Sequence, residues 1–401
     1  MTLPLIIRKS LRQHALSTVI TAGSIALAVG LWMSVWVIKE QAQTTFTGVD
    51  SGFDAVLGAR GSKLQLVLNA VFHLEASPGN LSWKDFEEVQ KNPNVSLAVP
   101  LAMGDNYRGY RLVGTTPDLF QRAEYAPGKR FAFVEGGRLF EMGYGEAVAG
   151  SFVAQKLKLK PGDKFHPFHG LVFDEKNQHS ETYVVVGVLK PSNTPADRVL
   201  WIPLEGIQNM TGHDPNAAAD ISAVLVALRS PAVGFIMDQA YNKQGTRLTF
   251  AWPIGQVMAE LFGKISWFDR VLALTAYLVA LVALGSVLAA IYNSMNARRR
   301  DIAIMRALGA RRTTVFGAVV GEAVVITLLG VLAGFVAYAA IVTVVAAIVR
   351  EQTGVVLEPF VFSRVFLVAP GLMLLGGALA GLIPALKAYR TEVAENLSPV
   401  S

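Results

Sequence analysis

Three histidines stand near enough in the sequence to raise the question of a metal. The stretch FHPFHG places His166 and His169 three residues apart, and His179 follows. Metal ligands adopt such spacings. Pro167 favours a loop over a helix here, however, and no acid-rich stretch lies beside the histidines, so they read as surface residues and no metal is expected. The chain has no cysteine, which excludes disulfides and thiolate-bound metals. It shows no G-x-S-x-G, no H-E-x-x-H and no paired-carboxylate motif, so no catalytic residue is assigned. The one stretch near a phosphate-binding loop, LFGKIS, lacks the leading glycine and the hydroxyl residue after the lysine. The sequence therefore reads as a non-enzyme, without a bound cofactor of its own.

The residues that invite a function instead are RRRDIAIMRALGARR, positions 298–312. Arg298, Arg299, Arg300, Arg306, Arg311 and Arg312 surround a single acid, Asp301. Ile302, Ile304, Met305 and Leu308 supply an apolar side for a short helix, and Gly309, followed by Ala310, stops it in the manner of a C-cap. Such a helix can be buried in a partner's groove, while its arginines steer it to an acidic rim. A basic loop that only signals topology accounts for the charges but not for the interleaved apolar residues.

Long apolar stretches hold this segment. The 401 residues are 52% hydrophobic and only 16% charged, against about a quarter charged in soluble domains. Residues 15–38, 267–295, 313–349 and 365–386 each supply the roughly 20 apolar residues that cross a bilayer core. The first follows Arg8, Lys9 and Arg12 but is too long for a signal-peptide core and lacks a cleavage site, so a retained anchor is expected. Residues 1–14 read as an amphipathic helix lying in the interface, 39–266 as a large soluble domain, 350–364 as a short outer loop and 387–401 as a tail. The expected fold is an α-helical membrane protein of four transmembrane helices, with a large extracytoplasmic mixed α/β domain between the first and second.

Orientation follows from lysine and arginine bias in the short loops. Residues 1–14 carry three basic residues and no acid, and residues 296–312, the coupling segment, carry a net charge of +5. The domain at 39–266 balances 22 Lys and Arg against 23 Asp and Glu. Both termini and the arginine segment are thus expected in the cytoplasm, with the domain outside an inner membrane. Nothing points to nucleic acid.

Within the spans, small residues recur at four-residue spacing: Ala22, Ala26 and Gly30; Gly317 and Gly321; Gly330 and Gly334; Gly377 and Gly381. Such stripes let helices approach closely, within one chain or between two copies. Glu322, the acid inside the third span, is expected to pair with an arginine or a water. Trp32, Trp36, Trp252 and Trp267 are expected to form an aromatic belt at the outer boundary. In the domain, ETYVVVGVLK and AVLVALR read as strands, while GEAVAGSFVAQKLKL, PAVGFIMDQAYNKQ and WPIGQVMAELFGKISWFDR read as helices. LGARGSKLQLVLNAVFHL reads as a buried helix behind a turn, and PSNTPADR as a loop. Two subdomains are expected.

The stretch RRRDIAIMRALGARRTTVF resembles the signature after the second span of FtsX-like, or MacB-like, permeases of ATP-binding cassette (ABC) systems, the type VII or mechanotransmission class. AGLIPALKAYR is similar to that family's closing motif, and GVLKPSNTPADRVLWIPLEGI to the periplasmic core of its MacB-like branch. Asp301 stands where the family usually has glutamate. The resemblance implies a separate ABC ATPase, in two copies, holding ATP and Mg. It also implies a second permease copy, identical or related, and as further partners membrane lipid and a periplasmic adaptor or lipoprotein. The activity implied is export, extrusion or extraction of a lipid, lipoprotein, peptide or hydrophobic compound. The alternative it carries is an FtsX-like regulator that switches a cell-wall hydrolase and moves no cargo.

Overall fold

The computed structural model describes residues 3–48, 52–171, 173–212, 219–297, 299–358 and 360–390. Its contacts divide the chain into two compact units. One contains the chain up to Gln41, Ile265–Ala347 and the chain from Glu358; the other contains Ala42–Lys264 and Ile348–Leu357.

The first unit is helical. An amphipathic helix, Leu3–Gln13, precedes the first apolar helix, Ala15–Thr47. The second apolar helix is Ile254–Ala297, a short basic helix follows at Arg299–Ala307, and the third and fourth apolar helices are Arg312–Thr353 and Val365–Arg390. All four apolar helices are long and apolar enough to cross a membrane. Three of them outrun the apolar stretches, at 33, 44 and 42 residues, because no proline interrupts them at the polar flanks. Ile25, Val29 and Met33 of the first pack with Ala283 and Val287 of the second, Ile326 of the third and Met373 of the fourth. The architecture is therefore an α-helical membrane protein with a large mixed α/β domain inserted after its first span.

The second unit is built on one continuous sheet. Its strands are β1 (Ala55–Ala59), β2 (Leu81–Ser82), β3 (Val95–Tyr107), β4 (Tyr110–Thr115), β5 (Glu146–Ala149), β6 (Lys164–Phe165), β7 (Phe168–His169), β8 (Tyr183–Val188), β9 (Leu200–Pro203), β10 (Asp220–Ile221), β11 (Ala223–Leu228) and β12 (Leu248–Ala251). Ten of them run in the order β12-β1-β11-β3-β4-β9-β5-β8-β6, with β7 paired to β3. β2 and β10 form a separate pair. The side chains alternate between two cores. Ala55 and Leu57 enter one and Val56 the other; Leu200 and Ile202 enter one and Trp201 the other.

This sheet corrects the expectation of two subdomains. The parallel pairing of β4 with β9 joins the part built from β3, β11 and β1 to the part built from β5 and β8. GEAVAGSFVAQKLKL is likewise not one helix. Its first part is β5, held between β8 and β9, and only Ser151–Leu157 is helical. Ala147, Val148 and Ala149 are buried on alternate faces, a two-residue period that helical propensity had masked. LGARGSKLQLVLNAVFHL divides in the same way, with Leu57–Ala59 ending β1 before the helix Lys63–Ala70. YVVVGV and AVLVAL are strands, and PAVGFIMD begins a helix at Pro231.

Candidate functional site

The short basic helix is closed by a full Schellman motif. Gly309 takes φ +97°, the Gly309 amide donates to the Arg306 carbonyl at 3.0 Å, and the Ala310 amide donates to the Met305 carbonyl at 3.0 Å. A side chain at position 309 would strain this left-handed backbone. The next helix begins at Arg312, so the turn between them is tight.

The apolar residues of this helix divide into two sets. Ile302 and Ala303 are buried, and Ile302 belongs to the core of the apolar helices. Ile304 is 41% exposed and Leu308, one turn further, 83% exposed. Met305 lies between, partly buried. This corrects the single docking face that the sequence predicts. Ile302 cannot enter a partner's groove, because its own chain has already covered it.

Arg300 and Arg311 are exposed, and Arg306 is half-buried. Arg312 lies over the Tyr389 ring, 5.6 Å from its centre. Arg299 and Asp301 lie on the helix; Arg298 lies outside the described residues. Ile304, Met305 and Leu308, with Ile7 of the amphipathic helix and Val315 and Glu322 of the third apolar helix, line a cavity of about 770 Å³.

The glycine stripes face partners in the same chain. A Cβ on Gly30 would lie 2.8 Å from the Cβ of Ala337; one on Gly330, 2.6 Å from the Cβ of Ile25; one on Gly334, 2.9 Å from the Cβ of Val29. Gly321 approaches Ile7, with Gly317 at ordinary distance from Leu3, while Gly377 faces Thr327 and Gly381 faces Ala323. The expected pairing of two copies through these stripes therefore meets faces that are already covered. Glu322 is buried and accepts from the Ser294 hydroxyl at 3.4 Å, a partner on the second apolar helix that sequence spacing did not single out. Trp32 packs edge-on to Tyr277, and Trp36 and Trp267 are exposed. Trp252 is not a belt residue: it packs on Gly234 and Phe235 inside the outer unit.

Of the three histidines, His166 is half-buried and its Nδ1 lies 3.0 Å from the Glu181 carbonyl. His179 is buried, against the expectation of a surface residue, and lies beside Asp105 and His169.

Residues 18–233 match the MacB-like periplasmic core domain and residues 273–393 the FtsX-like permease C-terminal domain. The first match alone spans more than half of the chain. The chain belongs to the FtsX/MacB-like family of ABC permeases. Solved structures similar to it include the extracellular domain of the noncanonic ABC-type transporter YknZ from Gram-positive bacteria. That domain is 18% identical with a TM-score of 0.31, over 49% of this chain and 98% of that one. The periplasmic region of MacB from Actinobacillus actinomycetemcomitans is 11% identical with a TM-score of 0.35, over 53% of this chain and 94% of that one.

One further cluster in the permease's outer unit is not legible in the sequence. Residues 348–357 pack there: Arg198 Nε donates to the Glu351 carbonyl at 2.9 Å, and Lys156 pairs with the Glu351 carboxylate at 3.1 Å. Arg350 sits over the Phe152 ring. Burial holds the Arg198 guanidinium below its usual pKa, with Tyr110 and Glu351 opposing that shift. The only sequence signal was the balance of two arginines and two glutamates in 350–364, which on a short loop reads as neutral solvation.

Proposed function

We propose that this permease couples ATP hydrolysis in a separate ATPase subunit to movement of its outer domain. That movement drives export, extrusion or extraction of a lipid, lipoprotein, peptide or hydrophobic compound at the outer face of the inner membrane. One observation carries this reading: Ile304 and Leu308 stand exposed one turn apart on a capped, arginine-flanked helix whose Ile302 and Ala303 are buried. A helix of nine residues with an exposed Leu at its end suits a groove in a folded partner. The basic bias supports a cytoplasmic position for it and for both termini, where an ATPase carrying ATP and Mg would meet it. The reading includes a pair of permeases over two ATPases, and the pair would meet on a surface other than the glycine stripes.

A photo-crosslinker at Leu308 in cells should capture an ABC ATPase, while the same group at buried Ile302 should not. If Leu308 captures none, the reading fails. The rival role, control of a cell-wall hydrolase, would show as hydrolase activation by the full-length permease and its ATPase without any movement of lipid or lipoprotein.

A further inference from the structure

We propose that Asp105, His169 and His179 form a binding site for a zinc-class divalent cation in the outer domain. The fold brings them together from distant positions. A register shift between Met103 and Asp105 breaks the β3–β4 ladder beside Asp105, the kind of irregularity that re-aims a side chain. β7 pairs with β3 so that His169 lies directly opposite Asp105. The His179 amide donates to the Pro167 carbonyl at 2.9 Å, which fixes the returning loop beside the same strand.

Two of the three ligand-to-ligand edges suit a tetrahedral ion, and the third has to close by a small movement of the exposed His169 ring. His179 Nε2 lies 3.3 Å and His169 Nδ1 lies 3.5 Å from Asp105 Oδ1, and all three ligand atoms fall within 4.8 Å of one another. Zinc held at about 2.1 Å by each ligand sets neighbouring ligand atoms about 3.4 Å apart. The two shorter edges bracket that value. The rings of His169 and His179 meet edge to face at 5.4 Å, so they flank the carboxylate instead of stacking across it.

The hydrogen bonding of His179 points the same way. Its Nδ1 lies 2.8 Å from the Thr211 carbonyl, which can only accept, so Nδ1 carries the hydrogen. In the neutral ring Nε2 then presents a lone pair, and it faces a carboxylate oxygen in a buried setting. A cation seated between the two atoms would replace their direct contact and be bound by both. A histidine that donates one nitrogen to a carbonyl and offers the other to a metal is the usual outer-shell arrangement of metal sites. Two imidazoles, one carboxylate and no thiolate suit zinc and its neighbours better than calcium or magnesium. His169 is 54% exposed at its side chain, which leaves a route in from solvent. An ion here would fasten β7 and the loop at His179 to the central strand β3.

The test uses untagged full-length permease in detergent, stripped with a chelator and titrated with Zn²⁺ against a chromophoric competitor. One equivalent per chain is expected. Affinity should fall at least tenfold in His169→Gln and Asp105→Asn, and stay within twofold in the neighbouring His166→Gln. Zinc should also protect the loop at His179 from hydrogen exchange in the wild type and not in His169→Gln. No bound zinc, or binding unchanged in His169→Gln, overturns the proposal and leaves an ordinary imidazolium–carboxylate cluster. Because His169 is exposed, its variant keeps the test decisive even if Asp105→Asn fails to fold.

Discussion

Gly334 rests directly on Val29: a Cβ at 334 would come within 2.9 Å of the Val29 Cβ and 3.3 Å of the Ala26 carbonyl. The first and third apolar helices thus approach with room for hydrogen and none for a methyl. Where lipid supplies no hydrophobic drive, that closeness is what dispersion and backbone contact require. Gly334→Val should therefore force the helices apart and lower stability by about 1–3 kcal/mol. Gly285→Ala, where nothing lies within 4 Å, should leave it unchanged or slightly raised. Thermal unfolding of the detergent-purified permease checks both.

Leu308 and Ile302 lie on one short helix and should respond in opposite ways. Leu308→Glu places a charge where the side chain is 83% exposed, so unfolding should not shift, while co-purification of the ATPase is lost. Ile302→Ala removes buried volume from the helical core and should cost about 2–5 kcal/mol with the docking surface intact. Equal loss of ATPase binding in both would mean that general disorder of the helix, not its exposed end, is responsible.

His73 makes the outer domain sensitive to acid. Burial, with the positive charges of Arg111 and Arg198 adding to it, lowers its pKa from 6.5 to about 3. The unfolded chain therefore takes up the proton first. The contribution is complete above about pH 6.5 and is lost as pH falls from there toward 3, at up to about 1.4 kcal/mol per pH unit. His73 packs edge-on to Trp201, so His73→Phe keeps a ring in place. That variant should flatten the pH dependence of unfolding between 6.5 and 4, measured by denaturant titration at each pH.

Asp85 governs a second, more acidic loss. Its carboxylate pairs with Arg247 and accepts from the Ser82 amide at 3.0 Å, completing a capping box at the helix Trp83–Gln90. The hydrogen bond from Arg247 leads in holding its pKa below the usual carboxylate range. Stability from this group is present above the unfolded carboxylate pKa, near 4, and is lost as pH falls through the depressed folded value. Asp85→Asn should remove that step and cost about 1–3 kcal/mol at neutral pH, as expected for breaking a charged cap and its ion pair. The His73 step should survive in this variant, which separates the two titrations.

Much of the architecture could be read directly from the chain. Four apolar stretches of sufficient length allow only helices, because a backbone in hydrocarbon must satisfy its own hydrogen bonds. The arginine segment around Gly309 carried both its helix and its stop, since a C-cap is decided by one residue's access to positive φ. Strands buried on both faces were harder. EAVA in β5 and VLGA in β1 hold apolar residues in either period, and only their partners β8, β9, β11 and β12 decide for the sheet.

The sequence by itself determined the spans, the basic helix and its cap, because those depend on hydropathy, charge and local backbone preference. Tertiary structure alone decided that Ile302 is hidden while Leu308 is bare, and that Gly30, Gly330 and Gly334 meet helices of their own chain. It alone brought Asp105 to His169 and His179 across more than 60 residues of chain. The physical reason is common to all three. Burial and proximity are properties of pairs of residues, and pairs distant in sequence are set by strand register and helix packing, which no single segment encodes.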